Sequence, residues 1–118
     1  MKKTILALCA ALALFACVQP AYEKTVVITL KVNGIKDIKT VGVRGEGGPL
    51  SWNEDIYLQP VVKDSLYTLT ATARTGYTFT EIKFTVNGEF ELDGKPNRRL
   101  EFAKGDTTYY GATFNVLP

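Results

Sequence analysis

Histidine does not occur in this chain. Its absence removes the side chain that most often serves as a general base near neutral pH and most often ligates metals. Cysteine is scarce: Cys9 and Cys17 are the only two, both close to the N-terminus. The region beyond them has no thiol, so Ser-His-Asp and Cys-His arrangements are excluded and no disulfide can staple the fold. A domain of that kind must rely on its own hydrophobic core. Tryptophan occurs once, at Trp52. Charge of one sign is lacking too. The 14 Lys and Arg stand against 12 Asp and Glu, and setting Lys2 and Lys3 aside leaves the two signs equal. With no basic stripe to neutralise phosphates, nucleic-acid binding is not expected. The Gly-rich stretch Gly45-Glu46-Gly47-Gly48 precedes no helix, so it is not a phosphate-binding loop. The acidic pair Glu54-Asp55 lacks calcium-loop spacing. Glu89 and Glu91 share a strand face, but on a short exposed strand such a pair reads as solvated surface. No cofactor, metal or catalytic residue is expected, and the protein reads as a non-enzyme.

What is present begins with an export pattern. Lys2 and Lys3 form a positive start, and 4–15 is almost wholly apolar. At roughly a dozen residues that stretch is shorter than the about 20 needed to span a bilayer. It runs into Leu14-Phe15-Ala16-Cys17, which resembles the lipobox of bacterial lipoproteins, with a bulky Phe15 where smaller residues are usual. The resemblance implies cleavage after residue 16 and a lipid on Cys17; the alternative is a plain secretory signal cleaved after Ala16 or Ala21. The chain then divides into a signal peptide (1–16), a lipid-anchor tether (17–23) and one domain (24–118). The implied location is the cell envelope, anchored to a membrane through the lipid, with the outer membrane favoured.

The domain carries β signals throughout. Residues 24–33 alternate, with Val26, Ile28, Leu30 and Val32 on one face, a period of two that marks a half-buried strand. A second strand over 40–44 turns Val41 and Val43 inward. Residues 45–53 form a loop holding Pro49 and Trp52. Residues 55–62 read as one strand, confined by Pro60 to an edge or bulge. In 65–74, Tyr67, Leu69, Ala71 and Ala73 oppose a ladder of Thr68, Thr70 and Thr72. Residues 77–86 change phase between Phe79 and Ile82, which predicts a bulge near Thr80-Glu81. Asn87-Gly88 is the favoured pair for a two-residue type I′ hairpin turn. Short strands over 89–92, 98–102 and 107–116 complete the set. Seven or eight strands without a helical period predict an all-β fold, an antiparallel β-sandwich of the starch-binding or immunoglobulin-like kind.

Three short motifs in order point further. Leu50-Ser51-Trp52, Glu81-Ile82-Lys83-Phe84 and Asn97-Arg98 resemble elements of starch-binding domains of the carbohydrate-binding-module kind, and of small lipoproteins of that fold in gut Bacteroidetes. The resemblance runs from about residue 25 to 116. It implies non-catalytic binding of an α-glucan, with Trp52 as an aromatic platform, Lys83 and Asn97 hydrogen-bonding sugar hydroxyls, and Glu91 as a neighbouring acid. The family's second platform tryptophan is missing; Phe90 or Leu92 stands there instead. Each residue also has a plainer reading. Trp52 fits as a cap on one end of the core, Lys83 as a solvated charge, and Asn97 as the residue of an Asx turn. Arg98 suits a structural pairing with a loop carbonyl or Glu101. The expected partners are a polysaccharide or oligosaccharide and, through Cys17, a membrane. A structural or protein-interaction role in an envelope complex is the rival reading.

Overall fold

A computed structural model describes residues 21–118. The expected signal peptide and Cys17 lie outside the described residues. The first strand, β1 (Tyr22–Lys31), buries Val26, Ile28 and Leu30, as its alternation predicts, and Val32 continues the row. Tyr22 and Glu23, expected in the tether, already pair with Thr75 and Arg74 in the sheet. β2 (Val41–Gly45) turns Val41 and Val43 inward and Gly42 and Arg44 outward. The remaining strands are β3 (Ile56–Tyr57), β4 (Gln59–Val62), β5 (Leu66–Thr75), β6 (Phe79–Val86), β7 (Glu89–Phe90), β8 (Arg98–Glu101) and β9 (Thr107–Thr113).

They form two sheets, one of four strands in the order β4-β5-β1-β9 and one of five in which β3-β2-β6-β7 are sequential neighbours and β8 also pairs with β6. The protein is an all-β sandwich with its core between the sheets, where Leu30, Val43, Ile82 and Phe84 are sealed from solvent. Two features differ from the expected strand plan. The segment 55–62 is two strands: β3 pairs with β2 in one sheet, Leu58 is buried between, and β4 pairs with β5 in the other. Pro60 lies on β4, an edge strand whose register slips between Pro60 and Val62, as a residue without an N–H requires. The second difference is β9, which runs parallel to β1 while the other pairings are antiparallel.

The phase change in β6 is not a bulge. Its ladder with β8 is continuous from Phe79↔Glu101 to Ile82↔Arg98. Phe79 points outward, and the Arg99 guanidinium lies 3.7 Å from its ring centroid, so a cation covers the apolar face in place of the core. The hairpin after β6 is as predicted. Asn87 and Gly88 have φ of 51° and 80°, the left-handed pair of a type I′ turn. Asn87 also accepts the N–H groups of Lys39 and Thr40 through its side-chain oxygen.

Candidate functional site

Trp52, Lys83 and Asn97, distant in sequence, line one shallow open depression of about 270 Å³, together with Phe90, Glu91 and Asp93. The strand alternation puts it there. Gly42 and Arg44 of β2 face Thr85 and Lys83 of β6, and Thr85 in turn pairs with Phe90 of β7, so these side chains share the outer face of the five-stranded sheet.

The loop carrying Trp52 is held by an ion pair. Arg44 Nε and Nη2 donate to the Asp55 carboxylate at 3.1 and 3.4 Å, and Nη1 donates to the Trp52 carbonyl at 3.1 Å. Asp55 also accepts the Thr85 hydroxyl at 2.7 Å. It sits directly on Gly42, where any Cβ would fall 2.7 Å from three Asp55 side-chain atoms. The missing side chain at Gly42 is what lets the carboxylate lie flat on the sheet. The Arg44 guanidinium then reaches over the Phe90 ring, 5.0 Å from its centroid. Trp52 is half-buried and Phe90 is 45% exposed, so both rings keep surface for a ligand. Lys83 Nζ donates to the Leu92 carbonyl at 3.1 Å, which aims its ammonium across the depression and leaves it further protons to donate. Asn97 is exposed, and among the described residues its side chain has no hydrogen-bond partner, so no Asx turn forms there.

Glu91 is the correction. It lies under the depression, but its residue is only 1% exposed. Its Oε2 accepts the Phe84 N–H and Arg98 Nε at 2.9 and 2.7 Å, and its Oε1 accepts Arg98 Nη2 and the Asn115 N–H at 2.8 and 3.0 Å. A carboxylate with all its acceptor capacity so used has none left for a sugar hydroxyl. Arg98 pairs with Glu91 and not Glu101, and Nη2 also donates to the Thr113 and Val116 carbonyls at 2.9 and 2.8 Å. The Glu91 hydrogen bond, working against desolvation, holds the guanidinium above its ordinary pKa. Leu92 does not supply the second platform: it is buried, its φ is 52°, and its N–H is taken by the Asn115 side chain at 2.8 Å.

Sequence reasoning missed Arg44 and Asp55. Arg44 is an outward residue on a short strand and reads as solvated; Gly42 two positions earlier, leaving a gap on the same face, was the signal available.

A second, larger hollow lies elsewhere. At one end the sheets part into an apolar cleft of about 710 Å³, walled by Val26 and Ile28, by Leu69, Ala71 and Ala73, and by Leu100 opposite. It contains none of the residues expected at a binding site.

No family model matches the chain, and no curated protein matches it. Among solved structures it is similar to the Glycoside Hydrolase Family 15 Glucoamylase from Hypocrea jecorina, at 18% identity and a TM-score of 0.58, over 85% of this chain. The match covers 18% of the glucoamylase chain. At that identity the likeness concerns the fold.

Proposed function

We propose that the depression around Trp52 binds carbohydrate without catalysis, an α-glucan by preference, and that the protein presents it from a lipid anchor at Cys17 in the bacterial cell envelope. The observation that carries the reading is the convergence of Trp52, Phe90, Lys83 and Asn97 on one open surface. Sugar rings offer an apolar C–H face to an aromatic ring and hydroxyls to flanking donors and acceptors, and a small concave site needs only a few polar groups to orient such a ligand. The three motifs resemble starch-binding domains, and that resemblance supports the choice of carbohydrate. With one tryptophan, affinity is weak, about 0.1–1 mM or roughly −5.5 to −4 kcal/mol. The test is to titrate maltoheptaose into wild type and Trp52→Ala. Binding by wild type with near-complete loss in a still-folded variant is expected. No binding by wild type to any glucan would reject the starch reading. For the anchor, Cys17→Ser abolishes lipid labelling and membrane attachment; labelling that persists would sink it.

One observation favours the rival reading of a protein-interaction lipoprotein. The apolar cleft is open and is lined by none of Trp52, Lys83 and Asn97, and contiguous exposed apolar surface marks interaction sites.

A further inference from the structure

Two of the strands that end the sheets carry features that discourage pairing with another chain. β4 contains Pro60 and a register slip, and β8 exposes the Arg99–Glu101 ion pair; prolines, irregularities and charges are the usual means of blocking a sheet edge. The remaining ends of the five-stranded sheet, β3 and β7, are two residues each. β9 is different. It is seven residues long, reads Thr-Thr-Tyr-Tyr-Gly-Ala-Thr, and has neither charge nor proline. It ends the four-stranded sheet, with β1 on one side only.

The direction of its free backbone groups follows from the bonds at its two ends. Thr25 N–H donates to the Asp106 carbonyl, and Phe114 N–H donates to the Lys31 carbonyl, both at 2.8 Å. In a parallel ladder, residues facing the neighbour alternate with residues facing away. Residues 108, 110 and 112 therefore face β1, and Thr107, Tyr109 and Gly111 turn their N–H and C=O groups outward; Thr113 turns outward too, but its carbonyl is taken by Arg98 Nη2 and the Val116 N–H. For Thr107, Tyr109 and Gly111 these groups have no partner among the described residues. Tyr109 is 79% exposed, a large ring standing on the outer face beside a strand that has a glycine two residues on.

We propose that β9 pairs antiparallel with β9 of a second copy about a two-fold axis at Tyr110, joining two four-stranded sheets into one of eight. This register places Tyr109 opposite Gly111, two outward-facing residues whose N–H and C=O groups are both free to bond mutually, and Thr107 opposite Thr113, where the Thr113 N–H alone is available because its carbonyl already accepts Arg98 Nη2 and the Val116 N–H. It also fits the side chains. Each Tyr109 ring lies across the other copy's Gly111, covering a position with no side chain of its own, a recognised stabiliser of glycine on a strand. Because the axis repeats the contact, one exposed tyrosine and one glycine fill each other's vacancy twice. A strand with no charges brings none into opposition across the axis.

The test uses the full chain purified in detergent. Analytical ultracentrifugation of wild type at tens of micromolar is expected to give twice the chain mass. Tyr109→Pro removes an outward N–H and leaves the bonds to β1 intact, so it should sediment as a monomer with an unchanged circular dichroism spectrum. The register has its own test, which does not depend on that variant folding. A mixture of Thr107→Cys and Thr113→Cys chains should form a disulfide between the two on mild oxidation, and each variant alone should not, against the common background of the native cysteines. A monomeric wild type overturns the proposal, whatever else covers the edge. So does cross-linking of Thr107→Cys to itself in place of Thr113→Cys.

Discussion

At one end of the sandwich Glu91 and Arg98, from the five-stranded sheet, meet the backbone of residues 113–116 at the end of β9 of the other, and among the described residues every buried side-chain polar atom has a partner. At the other end the inward row of β5 shrinks from Tyr67 and Leu69 to Ala71 and Ala73, and the sheets stand apart around about 710 Å³ of apolar space. The same two sheets are thus locked by a buried ion pair at one end and left unfilled at the other. The lock lies beneath the depression and holds Phe84, Leu92 and the strand carrying Lys83 in place. Among the described residues the cleft holds no such buried ion pair: its inner walls are apolar, and Glu46, Arg74, Thr80 and Glu81 are among the other residues that line it. The shape of the depression depends on the first end, and spare capacity for stability resides at the second.

Breaking the lock should have the largest effect. Arg98→Ala leaves a buried carboxylate with its charge unpaired, a loss of about 3–5 kcal/mol, read as a lower denaturant midpoint. The guanidinium is raised above its ordinary pKa. A group raised in the folded state contributes below its unfolded value and loses that contribution only as pH climbs through the folded one. That window lies above the usual alkaline range, so the arginine's share should be flat through mildly basic pH. A midpoint unchanged in Arg98→Ala would show that the pair is neutral to stability.

Gly88→Val comes next. The turn needs φ of 80° at that position, and a β-branched residue there is strained by roughly 1–2 kcal/mol. The melting temperature reads it, and no change would mean the hairpin tolerates another turn. Filling the open end should act in the opposite direction. Ala71→Leu adds apolar surface inside the cleft and is expected to stabilise the domain by about 1 kcal/mol. Maltoheptaose binding should not change, since the depression is on the outer face of the other sheet. Destabilisation would mean the cleft is narrower to a side chain than its volume suggests.

How much of this contrast the sequence revealed depends on the kind of residue. The alternation in β1 marks Val26, Ile28 and Leu30 as core because a period of two assigns faces without reference to any partner. Asn87-Gly88 is equally local. The same alternation in β5 names Ala71 and Ala73 as inward but is silent on what they face, so a filled core and an empty cleft read alike. A motif match alone assigns Glu91 to ligand; that Arg98, seven residues later, folds under and claims it depends on the hairpin and the chain after β9. Resemblance alone points to Trp52, Lys83 and Asn97, and Arg44 and Asp55, which hold the tryptophan loop, match no motif.

The smallest effect concerns the second platform. Phe90 keeps 45% of its surface exposed, but the Arg44 guanidinium occupies space over its ring. A sugar stacked on Trp52 as proposed would therefore reach the edge and free face of Phe90 and little more. Phe90→Trp widens that surface without moving the strand, because β7 is exposed and Phe90 is outside the core. If Phe90 is the second contact, the variant should bind maltoheptaose a few-fold more tightly, up to about tenfold or 1.4 kcal/mol, with its melting temperature unchanged. The larger ring also stacks better under a guanidinium, so Arg44 competes with the sugar for it, and that competition keeps the expected gain modest. Titration of Phe90→Trp beside Phe90→Ala separates the cases. A gain in the first with a loss in the second assigns Phe90 to the site. Equal affinity in wild type and both variants would show that the ring serves only Arg44, and that Trp52 binds its ligand alone.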